Sequence, residues 1–389
     1  MKTKIIDLGM HPYADTFISK DQLNLSEPVY PLQCYLDPTN SLISLGVKTN
    51  DDERYNLYDY SYTSSNSEFS KKYWESYYRD IINNKIISKD SKILEVGSND
   101  GYLLSIFQQN GFEVLGFDSS KKMADLANKN NIKTIHSLFT KSNVQILKNK
   151  FDLIIANNVF NHSNDPFDFL IGVKNSLSNT GIFVFEVPYW LDTIKDFRFD
   201  QIYHEHVSYF TVKSAKNFLT QAGLNIFKVE KTNYHGGSIR VYSSIKDSTK
   251  SNDIEKFIKQ EDNLKLFEPN SYQKYMNEIN KRKLNIMHKI YSLKKLNKSI
   301  VAVGAAAKGN TLLNYYGLNN GLIDYVTDNS EYKKGKYTPL TRIPIESDEY
   351  VFSKYNEVYA LILSWNLSPI LKTKLKTINN NIKFLNLSL

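Results

Sequence analysis

A single cysteine, Cys34, among 389 residues removes intramolecular disulfides and any cysteine-cluster zinc site from consideration. No apolar run is long enough to span a bilayer, and the start lacks the apolar stretch of a signal peptide. Nor is there a dense basic stripe with interleaved aromatics, the footprint of nucleic-acid binding. The excess of 49 basic over 41 acidic residues, a net charge of +8, is scattered along the chain. The expectation is a cytoplasmic protein with neither nucleic acid nor membrane as partner. Its mild positive potential suits a phosphate-bearing substrate.

The length exceeds one typical core, and the sequence divides into three parts. Residues 1–70 are irregular, with Pro12, Pro28, Pro31 and Pro38 breaking any long helix. Short apolar pieces at 29–36 and 41–47 read as strands of a small module. Over 71–247, short apolar runs such as Lys92-Ile93-Leu94-Glu95-Val96 alternate with helical amphipaths, the pattern of a parallel, doubly wound sheet. In 248–389 a charged helical stretch carries Tyr275, Ile279, Ile286, Ile290 and Leu293 at helical spacing, a packing stripe. Strand and helix then alternate again from Ser299. The fold class is therefore α/β, with a small irregular module and two Rossmann-like domains.

Glu95-Val96-Gly97-Ser98-Asn99-Asp100-Gly101 closes a strand and opens a helix. Glycines there let backbone approach a ligand at a helix N-terminus. The GxGxxG spacing of dinucleotide folds is absent, and Asp118 ends the next strand, placed to accept hydrogen bonds from ribose hydroxyls. This combination fits a class I S-adenosylmethionine (SAM) pocket, with Glu95, Gly97, Asn99, Gly101 and Asp118 as cofactor-binding candidates. Asn157 and Asn158 end the fourth strand at the ligand crevice, and His162 follows them towards the transferred methyl group. The stretch Asp200-Gln201-Ile202-Tyr203-His204-Glu205-His206 sets two histidines about a glutamate, groups suited to general base chemistry near neutral pH. Farther on, Gly237 and Arg240 are candidates for backbone approach to a ligand and for phosphate contact. Gly304-Ala305-Ala306-Ala307-Lys308-Gly309-Asn310-Thr311 leaves a helix N-terminus open beside a lysine, an anion site. It is not a Walker A motif, because the Gly-Lys-Ser/Thr order is missing.

Together these blocks resemble the sugar C-methyltransferases of deoxysugar biosynthesis, which methylate carbons of nucleotide-linked 4-ketosugars. The resemblance also takes in Ile6–Phe17 and Asp328–Pro339. It implies SAM as cofactor and a nucleotide-linked ketosugar as substrate. It makes His206 the general base, with Glu205, Tyr203 and His162 beside it and Tyr62 or Tyr60 approaching the sugar. Lys308, Asn310 and Thr311 then hold the diphosphate, with His204, Gly237 and Arg240 as further substrate contacts. The family's four zinc-binding cysteines are reduced here to Cys34, so no metal is expected. Carbon 3, next to the ketone, is the favoured site, and a monomer or weak homo-oligomer is expected. His162, Tyr203 and His204 all remain candidates for stabilising the enolate oxygen. Two alternatives stand beside this reading: a sugar O-methyltransferase, and a non-catalytic SAM- or nucleotide-sugar-binding homologue.

Overall fold

The computed structural model describes residues 1–51, 53–57, 63–65, 67–246 and 253–386. Its first part is a sheet of Thr3–His11, Tyr30–Leu36 and Ile43–Leu45, paired antiparallel. The strand Thr3–His11 has no counterpart in the sequence reading; its partners are supplied by a segment some distance along the chain. A fourth strand, Ser208–Tyr209, is donated from beyond residue 200 and pairs with Ile43–Leu45. The histidine-rich stretch is thereby stitched to the N-terminal module. Cys34 lies inside this sheet, fully buried opposite Ile6 and Leu45.

The central sheet has seven strands. In chain order they are Lys92–Val96, Glu113–Asp118, Thr134–His136, Phe151–Asn157, Leu177–Pro188, Asn225–Thr232 and Ser238–Ser244. In space the order is 3-2-1-4-5-7-6, the last strand running antiparallel between the fifth and sixth. The first five are parallel, and Ile93, Leu94 and Val96 are all buried. Burial on both faces explains why these runs read as continuously apolar rather than alternating. The order departs from the plain Rossmann 3-2-1-4-5-6 by that inserted hairpin, as a class I methyltransferase sheet does. Helix Glu68–Asn83, capped by the Ser67 side chain accepting from the Ser70 N–H, packs Trp74, Tyr77 and Ile81 inward.

The C-terminal domain is a five-stranded parallel sheet ordered Ile345–Glu346, Tyr325–Thr327, Ile300–Val303, Val358–Ile362, Ile382–Leu385. Helices Asp253–Asn263 and Tyr272–Lys295 precede it, and Tyr275, Ile279, Ile286 and Ile290 are buried as the helical spacing predicts. These helices grip the central domain: Trp190 Nε1 donates to the Tyr272 hydroxyl at 2.9 Å, and Tyr275 donates to the Arg198 carbonyl at 2.6 Å. Ile18 and Tyr337 exchange backbone hydrogen bonds of 3.1 and 2.8 Å, joining the first and last parts. No helix among the described residues is long and apolar enough to cross a membrane.

Candidate active site

A cavity of about 330 Å³ lies at the carboxyl ends of Lys92–Val96 and Phe151–Asn157. This is the switch point of the central sheet, where ligands bind in open parallel sheets. All three parts of the chain supply its wall: Asp15 and Tyr55 from the first, Gly97 and His206 from the second, Lys308 and Ser364 from the third.

The turn after the first central strand shapes one end. Gly97 has φ +69°, and a Cβ there would come within 2.8 Å of the Val159 side chain, so the position accepts only glycine. The Asp118 carboxylate accepts the Asn99 N–H on one oxygen and the Ser120 N–H on the other, both at 2.8 Å. A carboxylate has about four acceptor sites, so those two bonds fix its orientation and leave capacity for two ribose hydroxyls. Asn158 Oδ1 is buried at the cavity wall with no hydrogen-bond partner among the described residues. Gly97, Asn99, Asp118, Asn157 and Asn158 all line the cavity, and this donor and acceptor set fits SAM. Glu95 and Gly101 lie behind the wall instead. Burial, then the charges of Asp100 and Asp118, raise the Glu95 carboxyl well above its usual range. Gly101, at φ +79°, turns the chain into helix Tyr102–Gln109, where a Cβ would meet Ile132 at 2.9 Å.

Burial raises Asp118 to about 6. The ionised form is the better acceptor for ribose hydroxyls. Lowering the pH through about 6 therefore protonates the unliganded site and should weaken cofactor-product binding by about tenfold per pH unit. Binding near that pH releases a proton. Calorimetry of S-adenosylhomocysteine (SAH) in buffers of different ionisation enthalpy measures both effects.

Opposite this end stands His206. Its Nδ1 lies 2.8 Å from the Gln201 carbonyl, which has only lone pairs to offer, so Nδ1 carries the hydrogen. Nε2 is then the acceptor, and Tyr203 donates to it at 2.6 Å. Burial drives the imidazole pKa down to about 3, the Gln201 carbonyl opposing, so the ring is neutral at ordinary pH. The carbonyl, rather than the carboxylate of Glu205, orients this ring. Glu205 lines the cavity, accepts the Asp15 N–H at 3.3 Å, and is raised to about 7, first by burial and then by Asp15. The His162 ring centroid sits 5.1 Å from that of His206, and the Tyr55 hydroxyl lies 3.0 Å from His162 Nδ1.

Several expected substrate contacts are placed elsewhere. His204 turns away from the cavity to pack edge-on against Tyr13 and Tyr30, with Nδ1 3.3 Å from the Pro12 carbonyl. Arg240 is buried and spends its guanidinium on Glu186 at 3.0 Å and Asp80 at 3.1 Å, stacked over Tyr77. Burial works against that charge, and Glu186 together with Tyr77, Tyr73 and Tyr242 more than offsets it, so the group is held above its ordinary value. Gly237 completes the hairpin into Ser238–Ser244 at φ +127°, against Asp192. Asn310 donates to the Ala14 carbonyl at 2.6 Å, and Thr311 to those of Ile202 and Ala307. These two fasten the helix Ala307–Tyr316 to the other domains. Lys308 does line the cavity, lowered to about 8 by burial. Lys333 lies in the wall with it, and sequence reasoning passed it over. Tyr62 and Tyr60 lie outside the described residues. The Ser64 N–H donates to Asn99 Oδ1 at 2.8 Å and the Ser65 N–H to Asp100 at 3.0 Å, tying the end of their loop to the cofactor turn.

Comparison with known proteins adds two family matches: a methyltransferase domain over residues 71–229 and a C-methyltransferase C-terminal domain over 233–386. The chain is 29% identical over 299 residues to the C-methyltransferase NovU of Streptomyces niveus, covering 75% of this chain and 71% of that one. Among solved structures, a SAM-dependent methyltransferase of Clostridium acetobutylicum is 14% identical with a TM-score of 0.37, over 47% of this chain and 94% of that one. The magnesium protoporphyrin IX methyltransferase of Synechocystis with bound SAH is 14% identical with a TM-score of 0.35, over 44% of this chain and 82% of that one.

Proposed function

The chain belongs to the SAM-dependent C-methyltransferases, and from that premise we propose that it methylates a nucleotide-linked 4-ketosugar at carbon 3, with His206 as general base. One observation carries the reading. The Gln201 carbonyl fixes His206 with Nε2 as acceptor, in a cavity shared with the cofactor turn and two lysines of the C-terminal domain. A hydrogen next to a ketone is removable because its electron pair passes into an enolate, and a neutral imidazole is the acceptor this requires.

In the resting arrangement Tyr203 holds the Nε2 lone pair. A sugar C–H displaces that hydroxyl, the C–H bond breaks, and the proton passes to Nε2 to give an imidazolium. SAM, when bound, supplies an electrophilic methyl group on a positively charged sulfur. Asp118, Asn158 and the backbone at Gly97 would hold and orient it. Lys308 and Lys333 supply positive charge for the substrate diphosphate along the C-terminal rim.

Incubation of the protein and SAM with a panel of nucleotide ketosugars, followed by NMR location of the new methyl group, tests this. A methyl on carbon 3 is expected. A methyl ether would identify an O-methyltransferase, and SAM binding without transfer across the panel would identify a binding protein.

A further inference from the structure

The enolate formed beside His206 needs a hydrogen-bond donor at its oxygen. Of the three candidates left open by the sequence, His204 faces Tyr13 and Tyr30, and Tyr203 stays on the Nε2 side of His206, donating to it at rest and placed to accept from the imidazolium once the proton has moved. His162 remains, as a residue of the cavity wall, and it serves only if its Nε2 carries a hydrogen. Its Nδ1 is met by the Tyr55 hydroxyl at 3.0 Å, the two rings lying nearly parallel at 10° with centroids 6.4 Å apart. A phenol donates more readily than it accepts, and an imidazole nitrogen that accepts on Nδ1 must carry its hydrogen on Nε2.

We propose that Tyr55 is a positioning residue that sets the tautomer of His162, making His162 Nε2–H the donor to the enolate oxygen. The two histidines then stand in complementary forms 5.1 Å apart: His206 accepts on Nε2, and His162 donates from Nε2. The preceding residue reinforces the placement. The buried Arg54 guanidinium, paired with Asp51, donates to the backbone carbonyls of His162 at 3.3 Å and His204 at 3.5 Å. It thereby spans the two segments that carry the histidines. Tyr13 anchors the same π-helical turn, Glu53–Leu57, by donating to Glu53 at 3.0 Å. Burial also keeps the Tyr55 phenol protonated, raising it to about 12. The proposal rests on the enolate chemistry inferred above, but the tautomer itself is readable without turnover.

The test is nitrogen NMR of the full chain with ¹⁵N-labelled histidine, the His162 signals assigned by their loss in His162→Gln. In the wild type, His162 should show Nε2 protonated and Nδ1 as acceptor. Tyr55→Phe should move it to the other tautomer or to a mixture. Turnover should fall roughly tenfold, short of the 10²–10³ lost when an oxyanion donor is removed outright, with SAH affinity unchanged by calorimetry. His162 protonated on Nδ1 in the wild type, or an identical tautomer in Tyr55→Phe, would overturn the proposal. A wild type that transfers no methyl to any ketosugar would instead overturn the functional reading while leaving the tautomer result intact.

Discussion

His206→Asn is expected to lower kcat by about a thousandfold, within the range for loss of a general base, while SAH affinity stays at the wild-type value. The ring touches the acceptor side of the cavity, and the cofactor-fitting groups at Gly97, Asp118 and Asn158 belong to other strand ends. The pH profile separates His206 from its neighbour. Burial pushes His206 down to about 3 and Glu205 up to about 7. A base at His206 is already neutral throughout the mildly acidic range, so its kcat/KM for the sugar at saturating SAM shows no acid limb near neutrality. A limb near 7 that disappears in Glu205→Gln would assign the base to the carboxylate instead. Stopped-assay kinetics of the two variants across pH, with calorimetry for SAH, make the distinction.

Arg240→Met should reduce stability by about 3–5 kcal/mol, the usual result of leaving one charge of a buried pair alone. The uncompensated charge is Glu186, fully buried on the neighbouring strand Leu177–Pro188 directly across from Arg240, and also bonded by Tyr73 and Thr232. Adding Glu186→Gln should recover most of the loss, since the pair rather than either charge is what the core tolerates. Denaturant titration of both variants checks this. A selective rise in KM for the sugar nucleotide at wild-type stability would return Arg240 to the substrate-binding role that the sequence suggested.

That misassignment shows where sequence legibility ends. Lys92–Val96 with Gly97, and Asp118 at the next strand end, were readable because strand, turn and acid are all local. The same holds for the stripe Tyr275, Ile279, Ile286 and Ile290, set by helical periodicity alone. The partners of Arg240 lie 54 and 160 residues away, and no spacing rule brings them together. His204 and His206 look equivalent in sequence, but the segment is a turn rather than a strand. Its side chains therefore diverge, Tyr203, Glu205 and His206 to the cavity and His204 to the N-terminal sheet. Asn310 and Thr311 sit in the anion motif yet face domain contacts one turn beyond Lys308. Tyr55 and Arg54 gave no signal beyond an aromatic beside a cation, because their meaning depends on a histidine more than a hundred residues later.

The central claim is that His206 makes an enolate next to a sugar ketone. Incubating the protein and SAH with a nucleotide-linked 4-ketosugar in deuterated water tests it without methyl transfer. The wild type should exchange the hydrogen on carbon 3 for deuterium, observed as loss of its proton NMR signal, and His206→Asn should not. Equal exchange in both proteins would remove His206 as the base, and no exchange in a wild type that methylates the same sugar would contradict the enolate route.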